Sequence, residues 1–221
     1  SWIKSQGISE PAKYKFGKKI INSGRITTFS EFSVCSEDRC VILRNVDAYK
    51  VGAALGCAIP TGYGLSITLK ELKNAEFVGI LGLGGIGMAA LMGIINETRA
   101  CVGVIDINRD RLNKALSLGA KYAFLPKTNV NLDQQILQKT GKLFDVIIES
   151  SGTINALNQS LSLIHNKGLV KFVSHPPFGN ILEIDPFELI KGKRIEGSWG
   201  GGIDPDLHLE YIASQISNNN K

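Results

Sequence analysis

Cysteine is sparse in this chain and poorly spaced for chemistry of its own. The 221 residues include four cysteines, Cys35, Cys40, Cys57 and Cys101, and no two form a Cys-x-x-Cys pair. Neither a zinc ribbon nor a redox dithiol is therefore signalled. Scattered thiols fit a reducing cytoplasm better than a disulfide-stapled secreted domain. The opening SWIKSQGISEPAKYK also lacks the pattern of a signal peptide, so a cytoplasmic protein is expected. The 24 glycines follow no Gly-X-Y period, which excludes collagen. Neither sign of charge dominates, since 25 Lys and Arg against 20 Asp and Glu leave +5. The first fifty residues hold nine of the basic residues against five acids, which a solvated basic surface explains. No RNP, helix-turn-helix or zinc-finger spacing accompanies the charge, and no nucleic-acid partner is expected. No internal repeat is present. With 43% hydrophobic and 20% charged residues, the chain is of globular composition and long enough to bury a core without staples.

One uncharged run is long enough to span a bilayer. Residues 77 to 96 carry no charge over 20 positions. Six of them are glycine, however, and three fall within Gly82-Leu-Gly84-Gly85. A strand, a tight turn and a buried helix explain the run better than a membrane segment, and no membrane is expected.

Residues 1–50 are irregular, with short strand-like runs at Glu31–Cys35 and Cys40–Leu43, and read as an incomplete β-rich unit. Residues 48–70 read as a helical connector interrupted by Pro60, Gly62 and Gly64. From residue 77 onward, apolar runs alternate with helical patterns. Strands are expected at Phe77–Gly82, Cys101–Asp106, Tyr122–Leu125, Phe144–Glu149, Leu169–Ser174 and Arg194–Trp199. Runs apolar on both faces suit buried parallel strands. Asn108 can cap a helix ending at Gly119. Thr153 can cap another, with Ile154, Leu157, Leu161 and Ile164 on one face, His165 at its end and Gly168 as its stop. A third spans about Asp206 to Ser217 with Leu209, Ile212, Ala213 and Ile216 inward. The alternation predicts an α/β fold, a doubly wound parallel six-stranded Rossmann sheet over residues 51–221.

The sharpest local signal is Gly82-Leu-Gly84-Gly85-Ile-Gly87, between a predicted strand and a predicted helix. In a dinucleotide fingerprint Gly82 permits the tight turn, Gly84 admits a pyrophosphate, and Gly87 lets the helix pack on the strand. The helix N-terminus adds N–H donors and a partial positive charge. Such a motif alone is weak, and a ligand-free turn is its bland reading. Here the second strand ends at Asp106, nineteen residues after Gly87, where an acid should meet the adenosine ribose. Asp106 also favours NAD over NADP. A 2′-phosphate about 4 Å from this carboxylate is repelled by roughly 4 kcal/mol at an effective dielectric near 20, before relaxation and screening. Asn108, Arg109 and Arg111 complicate this preference, because an arginine can receive a 2′-phosphate.

Three stretches together resemble the zinc-type medium-chain alcohol dehydrogenases. They are Thr27-Thr-Phe-Ser-Glu-Phe32, Gly56-Cys57-Ala-Ile-Pro-Thr61-Gly62-Tyr-Gly64, and the fingerprint followed by Val104-Ile-Asp106-Ile-Asn108. The likeness runs from about residue 26 to 215. It implies that Cys57 is one of three protein ligands of a catalytic zinc and that Thr61 lies beside the nicotinamide. Gly82, Leu83, Gly84, Gly85, Ile86 and Gly87 correspond to the pyrophosphate turn, Asp106 and Ile107 to the adenosine side, and Arg111 to a basic residue flanking it. Glu149-Ser-Ser-Gly152, with Ser150 and Ser151, matches a segment near the adenine, and Val173 and Ser174 match the backbone that holds the carboxamide. The resemblance further implies an alcohol or aldehyde substrate, NAD as cofactor, and a homodimer through the sheet edge.

No stretch matches the first half of the family's catalytic domain, which carries the other two zinc ligands and the proton relay. Residues 1–50 therefore read as a remnant of that domain. The chain is expected to bind NAD(H) without zinc and without activity. Two rivals stand beside this reading: a non-catalytic NAD(H)-binding or sensing module, and a methyltransferase with a similar turn and acid. The Cys57–Thr61 stretch argues against the latter.

Overall fold

A computed structural model describes residues 14–21, 31–33, 35, 37, 40–44, 50, 52–127 and 130–218. A small antiparallel hairpin, β1 (Tyr14–Phe16) and β2 (Lys19–Ile21), stands first. A 3-10 turn over Gly52–Gly56 leads into helix α1 (Ala58–Thr68). Strands and helices then alternate: β3 (Phe77–Leu81), α2 (Gly85–Glu97), β4 (Cys101–Ile105), α3 (Arg109–Ser117), β5 (Tyr122–Phe124), α4 (Leu132–Thr140) and β6 (Phe144–Glu149). They continue with α5 (Ile154–Ser160), β7 (Ile164–Phe172), α6 (Pro186–Ile190), β8 (Arg194–Gly197) and α7 (Pro205–Asn218). The six strands β3 to β8 form one parallel sheet in the order β5-β4-β3-β6-β7-β8. This is the doubly wound Rossmann arrangement.

Strand β3 shows why the sheet is buried on both sides. All five of its residues are buried, and alternate side chains enter different cores. Val78 and Ile80 join Leu91, Ile94 and Leu112 on one face, while Phe77 and Leu81 join Phe144, Ile147 and Ile136 on the other. A third cluster seats α7 through Ile212, Ala213 and Ile216 against Tyr63 and Leu55. Tyr63 and Tyr211 both donate to Oε1 of Glu97, at 2.8 and 2.7 Å, and tie α1, α2 and α7 together. Burial, aided by the Glu97 carboxylate, pushes the Tyr63 phenol well above its ordinary pKa.

The expected strands appear within a residue or two, with one larger shift. The helix expected to run from Thr153 to Gly168 stops at Ser160, passes through a 3-10 turn at Leu161–Leu163, and becomes β7 at Ile164. Leu161, Leu163 and Ile164 are all buried while Ser162 is exposed, and this short pattern suits an entering strand as well as a helix face. Ile164 pairs with Phe144, but Leu169 pairs with Val146, so the register shifts across the exposed His165, Asn166 and Lys167. Lys167 takes φ +71 there. His165 consequently does not end a helix; its Nε2 lies 2.9 Å from Asp145 Oδ1. The Thr153 cap itself holds, accepting from the Ala156 N–H, and Asn108 caps α3 by accepting from Asp110 and Arg111.

Two other expectations change. None of the described residues in Glu31–Cys35 or Cys40–Leu43 enters a sheet; a strand needs a neighbour to share its ladder, and Phe32 and Ile42 are exposed. Pro60, Gly62 and Gly64 do not interrupt α1. Pro60 sits in the first turn, where no intrahelical donor is lost. Gly62 is there for contact: a Cβ would fall 2.1 Å from Ile86 O and 2.8 Å from Ala90 N of α2. Among the described residues, no helix is long and apolar enough to cross a membrane.

Gly62→Ala must separate α1 from α2, because the crowding atoms are backbone. It should destabilise the chain by about 3 kcal/mol in urea unfolding. Gly56→Ala, where a Cβ meets nothing within 4 Å, should stay within about 0.5 kcal/mol.

Candidate functional site

The sheet has one topological switch point. The chain leaves β3 toward β4 on one side, while β6 lies on the other. Loops at the carboxyl ends of β3 and β6 therefore diverge and leave a crevice. A cavity of about 350 Å³ opens there, lined by Gly82, Leu83, Gly84, Asp106, Ile107, Arg111, Ser150 and Ser151 among others. A more open depression of about 530 Å³ lies over β5, and of the candidate ligand-binding residues only Arg109 lines it.

The glycine turn forms one wall. Gly82 takes φ +91, and a Cβ on it would lie 2.6 Å from Ser151 Cα. Gly87 brings α2 back onto the turn; its Cβ would lie 1.9 Å from Gly82 O. Gly84 differs: a Cβ there would meet nothing within 4 Å, so no protein contact requires glycine. It caps α2, whose first-turn N–H groups lack intrahelical acceptors, as at any helix start. Gly85 and Ile86 form that first turn and do not line the cavity.

Asp106 ends β4 and is buried at 6% exposure. Its Oδ2 accepts from the Leu83 N–H at 2.6 Å and its Oδ1 from the Asn108 N–H at 2.8 Å. The acid thus braces the turn it faces. Arg111 Nη1 lies 3.8 Å from Oδ2, on a half-exposed side chain. Ile107 stands beside them, 85% exposed. On the opposite wall Ser150 Oγ donates to Gly82 O at 2.8 Å.

Other expected site residues lie outside this cavity. Thr61 is buried in α1, and the triglycine Gly200–Gly202 packs on its backbone: a Cβ on Gly201 would sit 2.4 Å from Thr61 O. Val173 and Ser174 follow β7; Val173 N–H donates to Glu149 O at 2.9 Å. Cys57 is exposed at the N-cap position of α1. Among the described residues, no three His, Cys, Asp or Glu side chains are grouped to hold a metal. Catalytic zinc takes three protein ligands, so these residues alone do not build its site.

The sequence places Glu149, the last residue of β6, at the head of the segment near the adenine but gives it no role of its own. It is fully buried, and its Oε1 accepts from Ser151 N–H at 2.8 Å and Ser151 Oγ at 2.5 Å, while Oε2 accepts from Ser174 Oγ. An acid closing the apolar run Val146-Ile-Ile148 was the available signal. Asn155 and Gln159, which also line the cavity, gave none.

Fold and crevice together define a Rossmann domain of the dinucleotide-binding type. The zinc-binding dehydrogenase family model matches residues 81–213, and the chain belongs to that family. An alcohol dehydrogenase zinc-binding domain protein from Burkholderia ambifaria is 28% identical, with a TM-score of 0.69 over 75% of this chain and 45% of that one. Benzyl alcohol dehydrogenase from Acinetobacter calcoaceticus shares the fold at 23% identity and a TM-score of 0.70, over 85% of this chain and 50% of that one. A candidate zinc-binding dehydrogenase from Sinorhizobium meliloti, bound to NADP, aligns at 24% identity and a TM-score of 0.64, over 74% of this chain and 47% of that one. The chain thus spans about half the length of these relatives.

The open face of Gly84 separates a ligand role from a folding role. Gly84→Ala should leave stability within about 1 kcal/mol yet weaken NADH binding at least about tenfold, measured by thermal unfolding and calorimetric titration.

Proposed function

We propose that this chain is the NAD(H)-binding part of a zinc-type alcohol or polyol dehydrogenase, with residues 1–50 a remnant of its catalytic domain and residues 51–221 its cofactor domain. The observation that carries the reading is the glycine turn braced by Asp106, with Gly84 open toward the crevice. Bound NAD supplies the hydride acceptor for an alcohol, and NADH the donor for an aldehyde or ketone. The chain's own residues bind and orient. Gly84 and the start of α2 receive the pyrophosphate. Asp106 receives the ribose hydroxyls through lone pairs left beside its two backbone bonds. Ile107 and Arg111 flank the adenosine, and Ser150 and Ser151 close the wall from β6.

Cys57 contributes one thiolate to zinc in the complete enzyme, Thr61 stands at the nicotinamide end, and the Val173–Ser174 backbone meets the carboxamide. The alcohol site, the remaining zinc ligands and the proton relay belong to the longer protein, so this chain binds cofactor without turnover. A second copy pairs along the β8 edge. The setting is the cytoplasm, where thiols stay reduced.

Charge at Asp106 selects NAD. Even a third of the roughly 4 kcal/mol repulsion between a carboxylate and a 2′-phosphate is about tenfold in affinity. Arg111, at 3.8 Å, offsets part of it. Titration followed by tryptophan fluorescence and heat should show saturable NADH binding, at least about tenfold tighter than NADPH. Asp106→Asn keeps one oxygen for the Leu83 N–H and removes the charge, and should reduce the preference to about threefold or less. Equal binding of NADH and NADPH to the parent chain would refute the selectivity, and absence of both would refute the cofactor assignment.

A further inference from the structure

Glu149 has a structural cost that packing alone does not explain. Its carboxylate is fully buried, and among the described residues no Lys, Arg or His side chain pairs with it. Burying a carboxylate is expensive unless hydrogen bonds replace its water. Among the described residues its three donors come from two loops: Ser151 supplies its N–H and hydroxyl, and Ser174 its hydroxyl. Neutral donors to a charged acceptor make strong, short bonds. Glu149 therefore clamps the loop after β6 to the loop after β7.

The two loops differ in what they serve. Ser151 lines the cavity and accepts from the N–H of Thr153, the cap of α5. Ser174 lies one strand farther from Asp106. Crossing the sheet from Asp106 after β4, one meets the glycine turn after β3, then Ser151 after β6, then Ser174 after β7. A dinucleotide lies across the switch point with one mononucleotide on each side. Adjacent strands are about 4.8 Å apart, so the β7 loop stands roughly 10 Å from the turn, on the side away from the adenosine. It belongs to the nicotinamide half.

We infer that Glu149 is a positioning residue for the nicotinamide half of the cofactor, holding the Val173–Ser174 loop in register with the Ser151 loop. It need not touch the cofactor, since it is sealed from the cavity by the serines it binds. The inference rests on the cofactor reading above. It predicts a split between ligands that a merely stabilising carboxylate would not produce.

The test is calorimetric titration of the full chain with NADH and with ADP-ribose, which keeps the adenosine, pyrophosphate and second ribose but lacks nicotinamide. Glu149→Gln retains shape and one acceptor but turns an N–H₂ toward donors. Ser174→Ala leaves Glu149 and the Ser151 bonds in place, so it serves even if the first variant folds poorly. Both variants should weaken NADH about tenfold and leave ADP-ribose within about twofold. Equal weakening of both ligands, or no change in either, overturns the positioning role while leaving the cofactor site intact. Failure of the unmodified chain to bind either ligand would strike the cofactor reading itself, and this inference would fall with it.

Discussion

The crevice exists because the chain must leave β3 in one direction while β6 arrives from the other. That topological constraint governs everything placed around it. Parallel strands need crossover helices, and right-handed crossovers on both sides force neighbouring loops apart at one position only. The loops then need bracing, because a diverging pair has no ladder to join it. Here the braces are the strand ends themselves. Gly82 N–H still bonds to Ile105 O, Ser150 N–H to Leu81 O, and Val173 N–H to Glu149 O, so the sheet's pairing continues one residue beyond each strand. Beyond that residue side chains take over, Asp106 on one flank and Glu149 on the other.

The two acids are not equivalent. Asp106 binds backbone N–H groups of its own loop and of the glycine turn, and its carboxylate faces the cavity with an arginine nearby. Glu149 is closed off by serines. One can meet a ligand with spare lone pairs, while the other can act only through what it holds. An acid near a cofactor crevice thus carries two kinds of information. Its exposure decides whether recognition or geometry is being set.

Much of this was legible in the sequence, and the misses share a cause. The glycine motif and Asp106 were readable because a positive φ and a strand-end acid leave signatures in residue type and spacing. Glu149 showed only as an acid closing an apolar strand; its clamping role did not show, since one of the serines that hold it lies twenty-five positions away. Gly62 and Gly64 looked like breaks because glycine weakens an isolated helix. In the fold Gly62 answers the approach of Ile86 and Ala90, a tertiary demand that local propensity does not encode. The strand at Ile164 was hidden because Leu157, Leu161 and Ile164 satisfy helical spacing even though the chain changes geometry between them.

That same close approach also decides where Cys57 stands relative to the glycine turn. Cys57 precedes Ala58, and a Cβ on Gly85 would lie 3.4 Å from Ala58 Cβ. The start of α1 therefore abuts the start of α2, next to the glycine turn. Deeper in the pair, Gly62 locks α1 to the backbone of Ile86 and Ala90, and the triglycine backs α1 from the other side, with Thr68 Oγ1 donating to Gly201 O at 2.7 Å. The backbone at position 57 is thus placed beside the turn largely by backbone contacts, which deform less than side-chain contacts. Reacting groups must be held about 3–3.5 Å apart, and a misplacement of about 1 Å costs rate steeply. A rigid wedge of two glycine-packed helices can keep the head of α1 in constant register with the glycine turn, which is the constraint that the metal-ligand role proposed for Cys57 would impose.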